Sequence, residues 1–171
     1  LAYAAWRGAN NVDGNEAPDQ ASLAKAGRIA GAGPKVLARP MGTIVHARRA
    51  SFDQMHCASA YLFVAPENLG SMSGVMKSFF DRLYYPLLDR IEARPYATII
   101  AAGSDGHGAA RQIERICTGW RLKAVASPTI VLMHAQTPQA ILAPKRVART
   151  DLDAAAELGA ALAQGVALGV F

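Results

Sequence analysis

Two short segments of this sequence combine glycine with small polar residues directly after an apolar run. The first is Pro66–Ser73, and the second is Gly103–Gly106, which is followed by His107 and Gly108. The three glycines in and after the second segment would let the backbone approach a flat ligand closely. Both segments are therefore candidate parts of a ligand-binding surface.

Residues that carry other kinds of chemistry are not grouped in the sequence. It contains no paired carboxylates at catalytic spacing, no nucleophile motif and no cluster of metal ligands. His46 and His56 stand without further ligands nearby, and we interpret them as ordinary surface or partly buried histidines. Cys57 and Cys117 lie in separate segments, and we expect reduced, mostly buried thiols.

The elements that would position the two segments alternate between strand and helix. Tyr61–Ala65 is an unbroken apolar run typical of a central parallel strand, and Pro66 should end it because proline cannot donate to a ladder. From Ser73 onward apolar residues recur at three- and four-residue spacing, which predicts a helix with Ser71 or Ser73 as its N-cap. We therefore predict a loop from Pro66 to Met72 at the carboxyl end of a strand, where open α/β sheets bind ligands.

The rest of the chain follows the same alternation. Apolar runs predict strands at 1–6, 35–38, 96–102 and 125–133. Helices are predicted at 22–30 and from the N-cap Ser51 to Cys57. A third helix is predicted from an apolar stripe formed by Ala109, Ile113, Ile116, Cys117 and Trp120. A last helix is predicted to begin with a capping box of Thr150 and Asp153 and to bury Leu152, Ala155, Leu158 and Leu162. The segment 134–150 is predicted to be a long connection, and we interpret Tyr84 and Tyr85 as packing residues. Five strands alternating with five helices predict a doubly wound α/β sandwich.

Composition limits the class of protein further. A chain of 171 residues with 51% apolar residues fits one domain over 1–171. There is no apolar run long enough to span a bilayer and no signal-peptide pattern, so we expect a soluble, cytoplasmic protein with no membrane partner. Lysine and arginine are scattered and no nucleic-acid-binding motif occurs, so no nucleic-acid partner is expected. The net charge of +5 suits attraction of an anionic nucleotide.

The central segment also fits a known pattern, through Pro66, Gly70, Ser73, Gly74, Met76, Lys77, Phe79, Asp81 and Arg82. On these residues the chain resembles the flavodoxin-like FMN-binding proteins, in particular the NADPH-dependent FMN reductase and NAD(P)H:quinone oxidoreductase branch. The resemblance implies a flavodoxin-like three-layer α/β/α sandwich with a five-stranded parallel sheet of order 2-1-3-4-5.

The resemblance also implies which residues hold the FMN cofactor. One edge of the isoalloxazine ring would meet Pro66, Glu67, Asn68, Leu69, Gly70, Ser71, Met72 and Ser73, and the ring would also meet Gly103, Ser104, Asp105 and Gly106. The FMN phosphate would be held after the first strand by Arg7, Gly8, Ala9 and Asn10, where Arg7 and Asn10 replace the hydroxyl groups usual in the family. The alternative register at 13–16 brings two carboxylates toward the phosphate, which is electrostatically unfavourable.

The implied activity is transfer of hydride from NAD(P)H through FMN to a quinone, a flavin or another small acceptor. Such chemistry belongs to the cofactor and needs no catalytic side chain, although His107 is a candidate for substrate contact or proton donation to a quinone. Two alternatives stay open: a flavodoxin-type electron carrier, which the basic charge argues against, and a binding module with weak or no FMN. The sequence also leaves a homo-oligomer open.

Overall fold

The structure is a computed structural model that describes residues 42–171. The strands predicted at 1–6 and 35–38, the helix predicted at 22–30 and the residues Arg7, Gly8, Ala9 and Asn10 lie outside the described residues. The elements in chain order are α1 (Phe52–Cys57), β1 (Tyr61–Asn68), β2 (Ser71–Met72), α2 (Gly74–Leu87), β3 (Pro95–Ala102), α3 (His107–Gly119), β4 (Lys123–Ala124), β5 (Thr129–Leu132), α4 (Pro138–Leu142) and α5 (Arg149–Leu168).

The sheet of the described region is parallel except at one edge. β3 lies in the middle, with β1 on one side and both β4 and β5 on the other, and all three pair with it in parallel. This arrangement confirms the neighbours predicted for the third, fourth and fifth strands. The short strand β2 was not predicted, and it pairs antiparallel with the end of β1.

Helices cover both faces of the sheet, as a three-layer sandwich requires. On one face, Phe63 and Ile100 pack with Phe80 of α2 and Ile113 of α3 in the larger apolar cluster. On the other face, the smaller cluster contains Val64, Ile99, Val131 and Ala155, the last from α5. The alternation along β1 and β3 therefore sends successive apolar side chains to opposite layers, which explains why the paired stretches 61–66 and 96–101 are almost entirely apolar.

Two predicted strand boundaries are wrong. Pro66 does not end β1, which continues to Asn68. Because Pro66 is the last residue in register with β3, opposite Ala101, its missing donor disturbs only the end of that ladder. The strand predicted at 125–133 is shorter, because β5 covers only Thr129–Leu132, and a separate short strand, β4, lies before the predicted range. Between them Val125 donates its N–H to the carbonyl of Tyr96, but 126–128, which contains Pro128, does not pair with β3.

The helices predicted within residues 42–171 are confirmed with local corrections. Ser51 caps α1 through a capping box with Gln54, and Ser73 is the N-cap of α2. The last helix begins at Arg149 rather than at Thr150, and Asp153 pairs with Arg149 instead of closing a capping box. Leu152 is 37% exposed, because it lies beside the buried stripe that contains Ala155 and Leu162.

Some expectations about single side chains are confirmed and others are wrong. Cys117 is fully buried, and burial raises the pKa of its thiol, whereas Cys57 is exposed and was wrongly expected to be buried. Tyr84 stacks on Trp120, but Tyr85 is 79% exposed, so only the first is a packing residue. The predicted connection 134–150 contains the helix α4. Among the described helices, none is long and apolar enough to cross a membrane.

Arg94 fixes the start of the described sheet. Its guanidinium donates to the carbonyl oxygens of His56 at 2.7 Å and Ala58 at 2.6 Å, and more weakly to that of Met55 at 3.2 Å. It also donates to the Tyr61 hydroxyl at 3.1 Å. The end of a helix leaves its last carbonyl groups without helical partners, and Arg94 supplies a donor to those of His56 and Ala58, so it ties the end of α1 to β1.

We expect Arg94→Lys to lower the free energy of unfolding by about 2 kcal/mol, because all four contacts come from the single nitrogen Nη1 and the lysine side chain is one bond too short to place its ammonium group there. Urea unfolding followed by circular dichroism measures the change. Arg115→Lys, at an exposed position of α3, is the matched control and should be neutral. Equal stability of the two variants would show that Arg94 does not hold α1 and β1 together.

Candidate functional site

The first segment singled out in the sequence is a β-hairpin rather than a loop. Glu67 pairs with Met72 and Asn68 with Ser71, so only Leu69 and Gly70 form the turn. Both have positive φ, 53° and 70°, as a two-residue turn of the primed type requires. Such a φ is unusual for leucine, and the Leu69 side chain is fully exposed at the tip.

The carboxylate of Glu67 joins the hairpin to the second segment. It accepts hydrogen bonds from the backbone N–H of Gly106 at 2.7 Å and of Ala109 at 3.2 Å. Gly106 is the N-cap of α3 and has no side chain that could satisfy the first N–H groups of the helix. Glu67, which lies in β1 and 39 residues before Gly106, therefore caps the helix in its place. The negative charge of the carboxylate also suits the helix N-terminus.

Two further contacts hold the hairpin on α3. The Oε1 atom of Gln112 accepts from the Ser71 hydroxyl at 2.8 Å and from the Met72 N–H at 3.1 Å. At Gly108 the helix meets the turn so closely that an added Cβ would overlap the carbonyl oxygen of Gly70. Neither the role of Gln112 nor the close contact at Gly108 was predicted from the sequence. The two residues are four positions apart and so lie on one face of α3, which was an available signal.

The glycines of the second segment serve the protein itself. Gly106 has a φ of 89°, and a Cβ there would lie 2.6 Å from Ile130. The carbonyl of Gly103 accepts from the N–H of Ala135 at 3.0 Å, which joins the loop after β5 to the same edge. Contacts within the chain thus require glycine at positions 106 and 108, independently of any approach to a flat ligand.

We call the surface formed by Pro66–Ser73 and Gly103–His107 the crest; it lies at the carboxyl ends of β1 and β3. The structure brings the two predicted segments together there. Pro66, Met72 and Ser73 are buried, so their side chains face the protein, whereas the exposed residues of the crest are Asn68, Leu69, Gly70, Ser104, Asp105 and His107.

The crest offers main-chain donors to a ligand. The backbone N–H groups of Leu69, Gly70, Ser104 and Asp105 donate to no acceptor within residues 42–171. Four neighbouring donors at the edge of a parallel sheet form a polar surface that can bind the acceptor atoms of a planar ligand. No group of three or more histidine, cysteine or acidic side chains suited to a metal ion occurs in this part of the chain.

Comparison with protein families identifies the chain. The family model described as NADPH-dependent FMN reductase matches residues 35–138, which is more than half of the 171 residues. The chain belongs to the NADPH-dependent FMN reductase family. As a reductase of this family, it is an FMN-binding oxidoreductase that uses NAD(P)H and passes electrons to a small-molecule acceptor. The matched region contains the whole crest.

Solved structures agree with the fold of this reductase. The structure of the flavodoxin, WrbA-like protein from Agrobacterium tumefaciens is similar with a TM-score of 0.53 and 13% sequence identity, over 67% of this chain and 70% of that one. At this identity the likeness supports the flavodoxin-like fold alone. Curated protein sequences give no match to the chain.

We expect Gly108→Ala to weaken FMN binding by the reductase about tenfold or more, because the added methyl group must push the Gly70 turn away from α3. Alanine is the better helix former, so a loss of binding would not come from helix propensity. Titration of the apoprotein with FMN, read by quenching of flavin fluorescence, measures the effect.

Gly74→Ala is the matched control, because a Cβ at Gly74 meets nothing within 4 Å. It lies on the neighbouring helix α2 and should bind FMN as the wild type does. If Gly108→Ala also bound FMN like the wild type, the close contact between α3 and the hairpin would have no part in shaping the crest.

Proposed function

We propose that FMN binds at the crest, with the polar edge of its isoalloxazine ring along the hairpin turn and the Ser104–Asp105 backbone. The carbonyl oxygens and unprotonated ring nitrogens at that edge accept hydrogen bonds, which match the N–H groups of Leu69, Gly70, Ser104 and Asp105 that donate to no acceptor within residues 42–171. The one ring N–H group at the same edge is a donor and would pair with a backbone carbonyl. The residues assigned to the cofactor are therefore Pro66–Ser73 and Gly103–Gly106, mainly through their backbones.

The observation that carries this proposal is the bond pair from Glu67 to Gly106 and Ala109. The Glu67 carboxylate is occupied by these N–H groups, so its role toward FMN is positioning rather than contact. It fixes the hairpin and the turn after β3 relative to each other, so that donors from both reach the same ligand edge. A preformed site of this kind loses little freedom when the ligand binds.

We assign the phosphate of FMN to Arg7, Gly8, Ala9 and Asn10, as the sequence analysis predicts. A guanidinium group and an amide can supply charge and N–H donors to a phosphate in place of hydroxyl groups. The glycine would let the backbone approach the anion.

The acceptor that we propose is a quinone or a free flavin, which can stack on the ring above the exposed crest. Bound FMN supplies the hydride transfer chemistry. The exposed imidazole of His107, at the first residue of α3, is placed to contact the acceptor and to donate a proton to a quinone oxygen. We place the enzyme in the cytoplasm, where NAD(P)H is available. Assembly into a homo-oligomer stays a prediction.

Binding of FMN to ¹⁵N-labelled protein tests the assignment of the ring and of the phosphate separately. The amide protons of Leu69, Gly70, Ser104 and Asp105 should shift most, because they gain hydrogen bonds. Arg7→Ala should weaken FMN binding about tenfold but leave riboflavin, which lacks the phosphate, unaffected. Shifts confined to another edge of the sheet would contradict the ring position, and an equal loss for both ligands would contradict the phosphate assignment.

His107→Gln tests the role of the imidazole. We expect quinone reduction to slow by about a hundredfold, because general acid catalysis is lost, while bleaching of bound FMN by NADPH keeps its rate. Stopped-flow absorbance separates the two half-reactions. His56→Gln, at an exposed position of α1, is the control, and unchanged quinone reduction in His107→Gln would remove His107 from the mechanism.

A further inference from the structure

A cavity lies beside α3, away from the crest. Its volume is about 400 Å³, and it is bounded by Tyr96 and Thr98 of β3, by Glu114 in the middle of α3 and by the segment 124–128. Tyr96 lies near the start of β3, six residues before the crest end of that strand, which corresponds to roughly 20 Å along the strand.

The break between β4 and β5 creates this cavity. Tyr96 is in register with Ala124, and Ile99 is in register with Thr129. Between these pairs β3 contributes 97–98, whereas the edge contributes 125–128, so the edge backbone must bulge away from the sheet. Opposite Thr98 the sheet therefore has an opening instead of a paired strand.

Two side chains that carry hydroxyl groups, Tyr96 and Thr98, line this opening. Tyr96 is 5% exposed and Thr98 is 3% exposed, and neither side chain forms a hydrogen bond with any residue in the described range. No completely enclosed side-chain nitrogen or oxygen without a partner occurs among the described residues, which fits hydroxyl groups of Tyr96 and Thr98 that open onto the cavity. A hydroxyl group that opens onto a largely apolar cavity can donate one hydrogen bond to a ligand and accept others from it.

The only charge among the residues that line the cavity is negative. Glu114 is its only ionisable carboxylate and forms no ion pair with a residue of the described region. Burial, with contributions from Cys117 and Glu114, raises the pKa of Tyr96 to about 12, so its hydroxyl keeps its proton at neutral pH. The other lining residues, apart from Ser127, are apolar.

We propose that this cavity is a binding site for a small organic cation: an apolar body seated against Ala124, Val125 and Pro128, with an amine or amidine nitrogen that donates to Glu114 and Thr98. The hydroxyl of Tyr96 can accept a further N–H or donate to an acceptor on the ligand. The site does not share residues with the crest and does not depend on the FMN assignment. Both sites are carried by α3, one at its N-terminus and one at its middle.

Titration of the FMN-loaded, ¹⁵N-labelled protein with benzamidine tests the proposal, because this probe joins a flat apolar ring to an amidinium group. We expect saturable shifts of the amides at 96–98, 114 and 124–128 at millimolar probe, with the amides of the hairpin turn unmoved. Benzoate has the same ring and the opposite charge, and it should produce no shifts.

Two variants separate the polar contributions. Glu114→Gln removes the charge and should weaken benzamidine binding about tenfold, and Thr98→Val removes a hydroxyl at constant volume and should weaken it about threefold. Glu157→Gln, at an exposed position of α5, is the matched control and should bind like the wild type. The FMN absorbance spectrum confirms in each variant that the fold and the cofactor site are intact.

Absence of saturable shifts, or shifts of equal size with benzoate, would overturn the proposal. Wild-type affinity in Glu114→Gln and Thr98→Val would overturn it as well, because binding would then occur elsewhere. Neither result would affect the FMN assignment, which is read from the flavin spectrum and from different amides.

Discussion

The candidate site depends on the bond pair between the Glu67 carboxylate and the backbone N–H groups of Gly106 and Ala109. The first N–H groups of α3 need an acceptor, and the N-cap Gly106 cannot supply one. A carboxylate from the end of β1 fulfils this requirement and benefits from the positive end of the helix. Because one side chain bonds to both segments, the hairpin and the turn after β3 are held in one relative position.

Other contacts add directional constraints to that bond. Gln112 fixes the outer strand of the hairpin, and Gly108 lets the Gly70 carbonyl approach the helix closely. The result is a surface with several backbone N–H groups that donate to no acceptor within residues 42–171. This arrangement suits a family in which the cofactor performs the redox chemistry and the protein supplies orientation and polarity.

The helix α3 has a second role at the opposite part of the sheet. Its first turn organises the crest, and its middle forms one wall of the cavity at the bulge between β4 and β5. The bulge leaves Thr98 without a partner on the β4–β5 side, whereas the crest results from close packing of the hairpin on α3. An edge strand tolerates such an irregularity because no further strand of the described sheet pairs on its outer side.

The sequence by itself determined the elements whose signals are local. The apolar runs of β1 and β3, the caps at Ser51 and Ser73 and the alternation of strand and helix follow from periodicity and short-range hydrogen bonding, and the structure confirms them. The pattern from Pro66 to Arg82 also identified the family, because it combines those local signals with the residue types that the family uses at this edge.

Only the tertiary structure decided how distant residues pair. The partners of Glu67 lie about 40 residues away, as do those of Gln112, and no local periodicity encodes such a distance. The division into β4 and β5 depends on register against β3, which is set by packing across the sheet rather than by the apolar run itself. The chain thus specifies its layers through local patterns, whereas the binding surfaces arise from contacts that form only when those layers pack.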